Sequence, residues 1–113
     1  MRPMLPLTPL SMEILLALAE GELHGYALMQ RLEEQTGGGL APGTGTLYAA
    51  LQRMMDEGLI VEADNLPRPG EDQRRRYYRI TPQGREAARS EARRMARVLE
   101  LARTRRLAGE GRA

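Results

Sequence analysis

The sequence predicts a mainly α-helical fold with one small β-hairpin, on three observations. Thr-Pro pairs at residues 8–9 and 81–82 each open a long run with apolar residues at helical spacing. Two shorter helical runs lie between them, joined by a glycine-rich link. Two β-rich runs, Leu59-Ile60-Val61 and RRYYRIT, flank the polar segment DNLPRPGEDQR.

In the first helix Thr8 suits the N-cap and Pro9 the first helical position, where a missing N–H costs nothing. The run SMEILLALAE then continues to Gly21, a natural stop. Leu10, Ile14, Ala17 and Leu18 form one stripe, while Met12, Leu15 and Leu16 carry apolar surface almost all round. A helix of that kind in so short a chain needs cover on two sides, which places Leu15 against a second copy of the chain. The arm before it, with Pro3 and Pro6, reads as extended and packs across the same dimer.

The second helix spans Gly25 to Thr36, between the triplet His24-Gly25-Tyr26 and the run Gly37-Gly38-Gly39. Leu28 and Leu32 face inwards; Arg31, Glu33 and Glu34 face out. For a catalytic or sensor role His24 has only Glu22 as a thin candidate partner, and it is read with Tyr26 as the start of this supporting helix, near a phosphate or packed locally.

The stretch APGTGTLYAALQRMMDEGLI, Ala41 to Ile60, supplies the third helix. Leu47, Leu51 and Met54 recur at i, i+4, i+7 and form a buried rear; Thr44, Thr46, Tyr48, Gln52 and Arg53 form a polar front. Small polar residues at the leading end of such a helix suit insertion into a DNA groove. The free N–H groups and positive dipole end near Gly43 and Thr44 suit a phosphate or a base edge, and Gly45 allows close approach. Two turns in, Gln52 suits adenine and Arg53 suits guanine or a phosphate. The competing reading of Arg53 is a surface ion pair with Asp56 or Glu57. The Tyr48 hydroxyl suits a phosphate; its ring equally suits packing against Met55.

Gly58 ends this helix and the hairpin follows, with Tyr78 and Ile80 inwards and Arg75, Tyr77 and Arg79 outwards. Two helices joined by a short turn, followed by a hairpin, make a winged helix-turn-helix. Arg74, Arg75 and Arg76 then sit where the wing meets the DNA backbone or minor groove. From Thr81-Pro82 a single helix runs to about Leu107. Ala88, Ala92, Met95, Leu99 and Ala102 recur at alternating spacings of four and three, with Val98 and Leu101 beside them. So long and one-sided a helix pairs with a second subunit. The domain division is therefore 1–81, DNA-binding, and 82–113, dimerisation helix with a frayed tail.

Composition narrows the function. All 17 basic residues are Arg, and there is no Cys, Trp or Phe. The absence of Cys removes disulfides, thiolate metal sites and thiol nucleophiles, and makes a reducing cytoplasm the expected location. No apolar run approaches a membrane span, and the N-terminus lacks a signal-peptide pattern. Charge is lopsided: net −6 over residues 1–67, +3 over 68–79 and +5 over 80–113. A polyanion is drawn to the middle segment and the last helix more than to the first half, although most Arg of residues 80–113 read as a solvated helix face. The acids Glu13, Glu20, Glu22, Glu33 and Glu34 are expected to point away from DNA, some towards the Arg-rich helix of the partner. The run GGGLAPGTGT lacks the Lys of a phosphate loop and follows a helix, not a strand. With one His and scattered carboxylates, no catalytic constellation, metal site or cofactor is expected.

The motifs HGYALMQ, GTLYAALQRMMDEGLI and RRRYYRITPQGR, in this order and spacing, resemble the PadR family of bacterial winged-helix transcriptional regulators. The likeness runs from about Thr8 to Arg106, and the single C-terminal helix resembles the compact subgroup. It implies a homodimer held by the C-terminal and first helices, a pseudo-palindromic operator, and repression relieved by a small, often aromatic effector. Carried onto this chain, it makes Gly43 to Arg53 the recognition helix and places Arg74 to Arg76 at the wing. Some members stack flat ligands on a Trp that this chain lacks.

Overall fold

The computed structural model describes residues 6–63 and 76–109. Four helices and three short strands follow in the order α1 (Pro9–Leu18), β1 (Leu23–His24), α2 (Gly25–Thr36), α3 (Thr44–Asp56), β2 (Ile60–Glu62), β3 (Tyr77–Ile80) and α4 (Pro82–Thr104). The strands form one antiparallel sheet in the order β1-β3-β2. Ile60 stands opposite Ile80, Glu62 opposite Tyr78, and Leu23 opposite Tyr78 on the far side. β2 and β3 are the expected hairpin. The third strand, β1, adds to that expectation: Leu23 and His24 are too few to show a period, and only pairing with β3 makes them a strand.

Both Thr-Pro pairs open helices as the sequence predicts. The Thr8 hydroxyl accepts the Ser11 N–H at 3.1 Å, and the Thr81 hydroxyl accepts the Gly84 N–H at 2.9 Å. Thr81 also donates to the Gly58 carbonyl at 2.7 Å, which ties the start of α4 to the chain leaving α3. Gly58 itself has φ 79°, and around it the Leu59 and Gly58 N–H groups close back onto the Met54 and Met55 carbonyls. The last helix ends at Thr104 rather than Leu107. Its final carbonyls are met by Arg106 N–H to Arg103 and Leu107 N–H to Ala102, with Arg106 at φ 62°.

One core joins these elements: Ile14, Leu15 and Leu18 from α1, Leu28 and Leu32 from α2, Leu47, Leu51 and Met54 from α3, and Leu59, Ile60, Tyr78 and Ile80 from the sheet region. α1 lies at its centre, touching α2, α3, α4 and β3. That arrangement corrects the placement of Leu15 at a dimer interface. Leu15 is 0 % exposed within its own chain, and it is Leu16, at 45 %, that faces out. α1 needs cover on several sides, as its composition implies, but the chain itself supplies most of it. On α4, Ala88 is half-buried against the same core, whereas Met95, Val98, Leu99 and Leu101 are between 43 % and 49 % exposed.

Candidate nucleic-acid interface

The buried line of α3 is Leu47, Ala50, Leu51 and Met54. Opposite it, Gly45, Ala49, Gln52 and Asp56 recur at i, i+4, i+7, i+11 and are all exposed. Thr44 and Thr46 flank the leading end, also exposed. The N-cap, Gly43, makes no side-chain capping bond, so the first-turn N–H groups face outwards with the positive end of the helix dipole. Ala49 and Asp56 extend the face beyond the residues that the sequence motifs single out. Their i, i+4 relation to Gly45 and Gln52 is the signal that could have found them.

Two flanks of α3 hold it in place. On one, a Cβ at position 25 would overlap the Tyr48 hydroxyl, so Tyr48 sits directly on the backbone that opens α2. Glycine in the HGY triplet is therefore matched to the tyrosine of GTLY. Tyr48 is still 44 % exposed, on the side of α3 nearest α2. On the other flank, Arg53 reaches Ser11 Oγ at 3.5 Å, and Ser11 Oγ also accepts from the Thr8 hydroxyl at 3.0 Å. Among the described residues Arg53 makes no ion pair with Asp56 or Glu57; it is Gln52 whose Nε2 donates to Asp56 Oδ1, at 3.0 Å.

His24 caps α2: its Nδ1 accepts the Ala27 N–H at 3.2 Å, and its ring meets Tyr77 edge-on at 5.4 Å. Tyr26 is 64 % exposed beside it, its hydroxyl accepting from Gln30 Nε2 at 3.3 Å. On the wing side Arg76 is exposed and lies 3.6 Å from Glu62 across the hairpin, and Arg79 pairs with Glu22 at 3.2 Å. Arg74 and Arg75 lie outside the described residues.

Four of the five acids read as pointing away from DNA have partners within the chain. Glu20 and Glu34 share Arg31 at 2.7 and 3.8 Å, Glu22 meets Arg79, and Glu13 accepts from Gln35 at 2.9 Å. Their negative charge is thus partly answered on the α1–α2 side. Among the described residues one acid is buried: Glu91 of α4, bound by Arg94 Nε at 2.9 Å and Nη2 at 2.7 Å. These hydrogen bonds hold its carboxyl below the usual range against the opposing effect of burial, with the Leu7 N–H contributing in the same direction. Tyr78 is pushed up, chiefly by burial in the sheet.

A helix-turn-helix with a β-hairpin behind it and an exposed third helix without a side-chain cap defines a winged-helix fold. The profile of the Transcriptional regulator PadR-like family matches residues 14–90, and the chain belongs to that family, one of regulators and not enzymes. An uncharacterised 37.1 kDa protein of a Streptomyces fradiae transposon is 44 % identical over 88 residues, 77 % of this chain. A transcriptional regulator of Mycobacterium tuberculosis is 40 % identical over 76 residues, 67 % of this chain. The aligned parts span 23 % and 65 % of those two proteins, less than two thirds of either. The structure of Bacillus subtilis PadR in complex with operator DNA superposes with a TM-score of 0.62 at 25 % identity, over 75 % of this chain and 47 % of that one. Among the described residues no helix is long and apolar enough to cross a membrane.

Proposed function

We propose that the chain is a homodimeric, sequence-specific DNA-binding regulator that represses by occupying a pseudo-palindromic operator. The observation that carries this reading is α3: rear buried, front exposed, leading N–H groups without a side-chain cap. Two such helices enter successive major grooves about 34 Å apart. Gly43, Thr44 and Thr46 meet the backbone or base edges at the leading end, and Gln52 reads a base. Tyr26, Tyr48 and Arg53 flank the groove, and Arg74 to Arg76 hold the neighbouring phosphates. The half-exposed seam Met95, Val98, Leu99, with Ala92 and Ala102, pairs the two α4 helices. A small effector between those helices would alter the separation of the two recognition helices, and Met95 adapts that space to varied ligands.

The test is a mobility-shift titration on the DNA upstream of the chain's own gene, in a series of salt concentrations. Arg75→Ala with Arg76→Ala weakens binding to every duplex alike and lowers the salt slope by about one for each phosphate no longer neutralised. A wild-type chain that shifts no duplex at low salt sinks the reading; an unchanged slope means that the wing does not touch the DNA backbone.

A further inference from the structure

The last turn of α3 carries an acid at the end of the helix dipole that disfavours it, and an i, i+4 bond to a glutamine offsets only part of that cost. Asp56 is the final residue of the helix, where the negative end of the dipole opposes a carboxylate. Among the described residues no cation answers it. Its partner is the Gln52 amide, with Nε2 donating to Oδ1 at 3.0 Å, while neighbouring Arg53 turns away to Ser11. Gln52 and Asp56 are both exposed, on the outward line of α3 that begins at Gly45.

A carboxylate only accepts hydrogen bonds, so this contact decides which end of the amide turns towards it. With Nε2 on Asp56, Oε1 is left as an acceptor and Nε2 keeps its second hydrogen. One acceptor beside one donor matches adenine, which offers the N6 amino group and N7 in the major groove. Guanine offers O6 and N7, two acceptors, and the oriented Oε1 repels O6. A glutamine free to flip presents its amino end and tolerates guanine. We infer that Asp56 is a positioning residue that locks Gln52 for adenine over guanine at one position of each half-site. The inference rests on α3 entering the major groove as proposed above.

The experiment is selection from a random duplex pool with the full chain and three variants, followed by sequencing of the enriched pools. Asp56→Asn keeps the size of the side chain but can donate or accept, so the Gln52 amide is released. Asp56→Glu keeps an acceptor-only partner. Wild type and Asp56→Glu enrich adenine at the same position; Asp56→Asn admits guanine there, cutting the adenine preference about three- to tenfold. Gln52→Ala flattens that position altogether. Loss of the Asp56 charge also raises affinity for all sequences, and that uniform gain is separable from a change at one base. If the Asp56→Asn pool matches wild type, changes at every position, or is matched by the Asp56→Glu pool, the positioning role is overturned and the DNA-binding reading stands. If wild type enriches nothing, both fall together.

Discussion

The two halves of α4 obey different rules. Over Pro82 to Glu91 the helix lies on its own domain, with Gly84, Ala87 and Glu91 buried at i, i+3, i+7. From Ala92 onwards no described residue of the helix is buried, and the large apolar side chains sit there half in water. The first half approaches so closely that a Cβ at position 84 would overlap the Leu59 carbonyl oxygen and stand 2.9 Å from Ile80 Cγ1. Close approach within the chain is thus marked by small residues, and uncovered surface by Met, Val and Leu. A helix can be amphipathic twice, on two faces, for two different partners.

The largest expected effect comes from charging the second half. Met95→Glu with Leu99→Glu should turn the proposed dimer into a monomer at micromolar concentration by light scattering. Association weaker by about a hundredfold or more, roughly 3 kcal/mol, follows from forcing paired carboxylates into an apolar seam. The helical circular dichroism of each chain should survive, since neither side chain belongs to the core. A variant that stays dimeric would move the interface off this face. The first half breaks differently. Gly84→Ala should destabilise the domain by about 1–3 kcal/mol in urea unfolding, because backbone must shift to admit the methyl group. Alanine's better helix propensity, about 1 kcal/mol, works the other way. A net gain in stability would show that α4 is not seated so tightly.

How much of this is legible in the sequence follows the same division. Local chemistry is: the Thr-Pro caps, the bounds of α2 between HGY and Gly37, and the buried face of α3 all depend on residues within a few positions of one another. What depends on distant contacts is not. β1 exists only because β3 runs beside it. Leu15 reads as a partner's neighbour because periodicity shows that a face is apolar without showing what covers it, and here α1 is wrapped by its own chain. Charge alone sets Arg53 against Asp56 and Glu57, yet Ser11, forty-two positions away, receives it. The Gln52–Asp56 pair is readable at i, i+4, but opposite charge is the more obvious signal. Gly84, Ala87 and Glu91 are spaced to be read too; an acid in an arginine-rich run does not look like a core residue.

Glu91 stands where the buried half gives way to the exposed one, and substituting it is the smallest of the expected effects. Its carboxylate accepts two hydrogen bonds from Arg94, one turn further along the same helix. Glu91→Gln keeps the shape and one acceptor but loses the charge on the hydrogen bonds from Arg94, a cost of about 1 kcal/mol. The pH dependence separates that charge from packing. The folded-state value lies below the ordinary 4.5 of a glutamate, so the contribution is complete above 4.5 and is lost as pH falls through the depressed value. Urea unfolding of wild type and Glu91→Gln should therefore differ by a constant amount from about pH 5 to 8. The gap should close progressively in acid, where the carboxyl of the wild type is protonated as well. A gap that persists undiminished in acid would assign the site to packing, leaving Gly84 and Ala87 to anchor the first half of α4 without help from the buried charge.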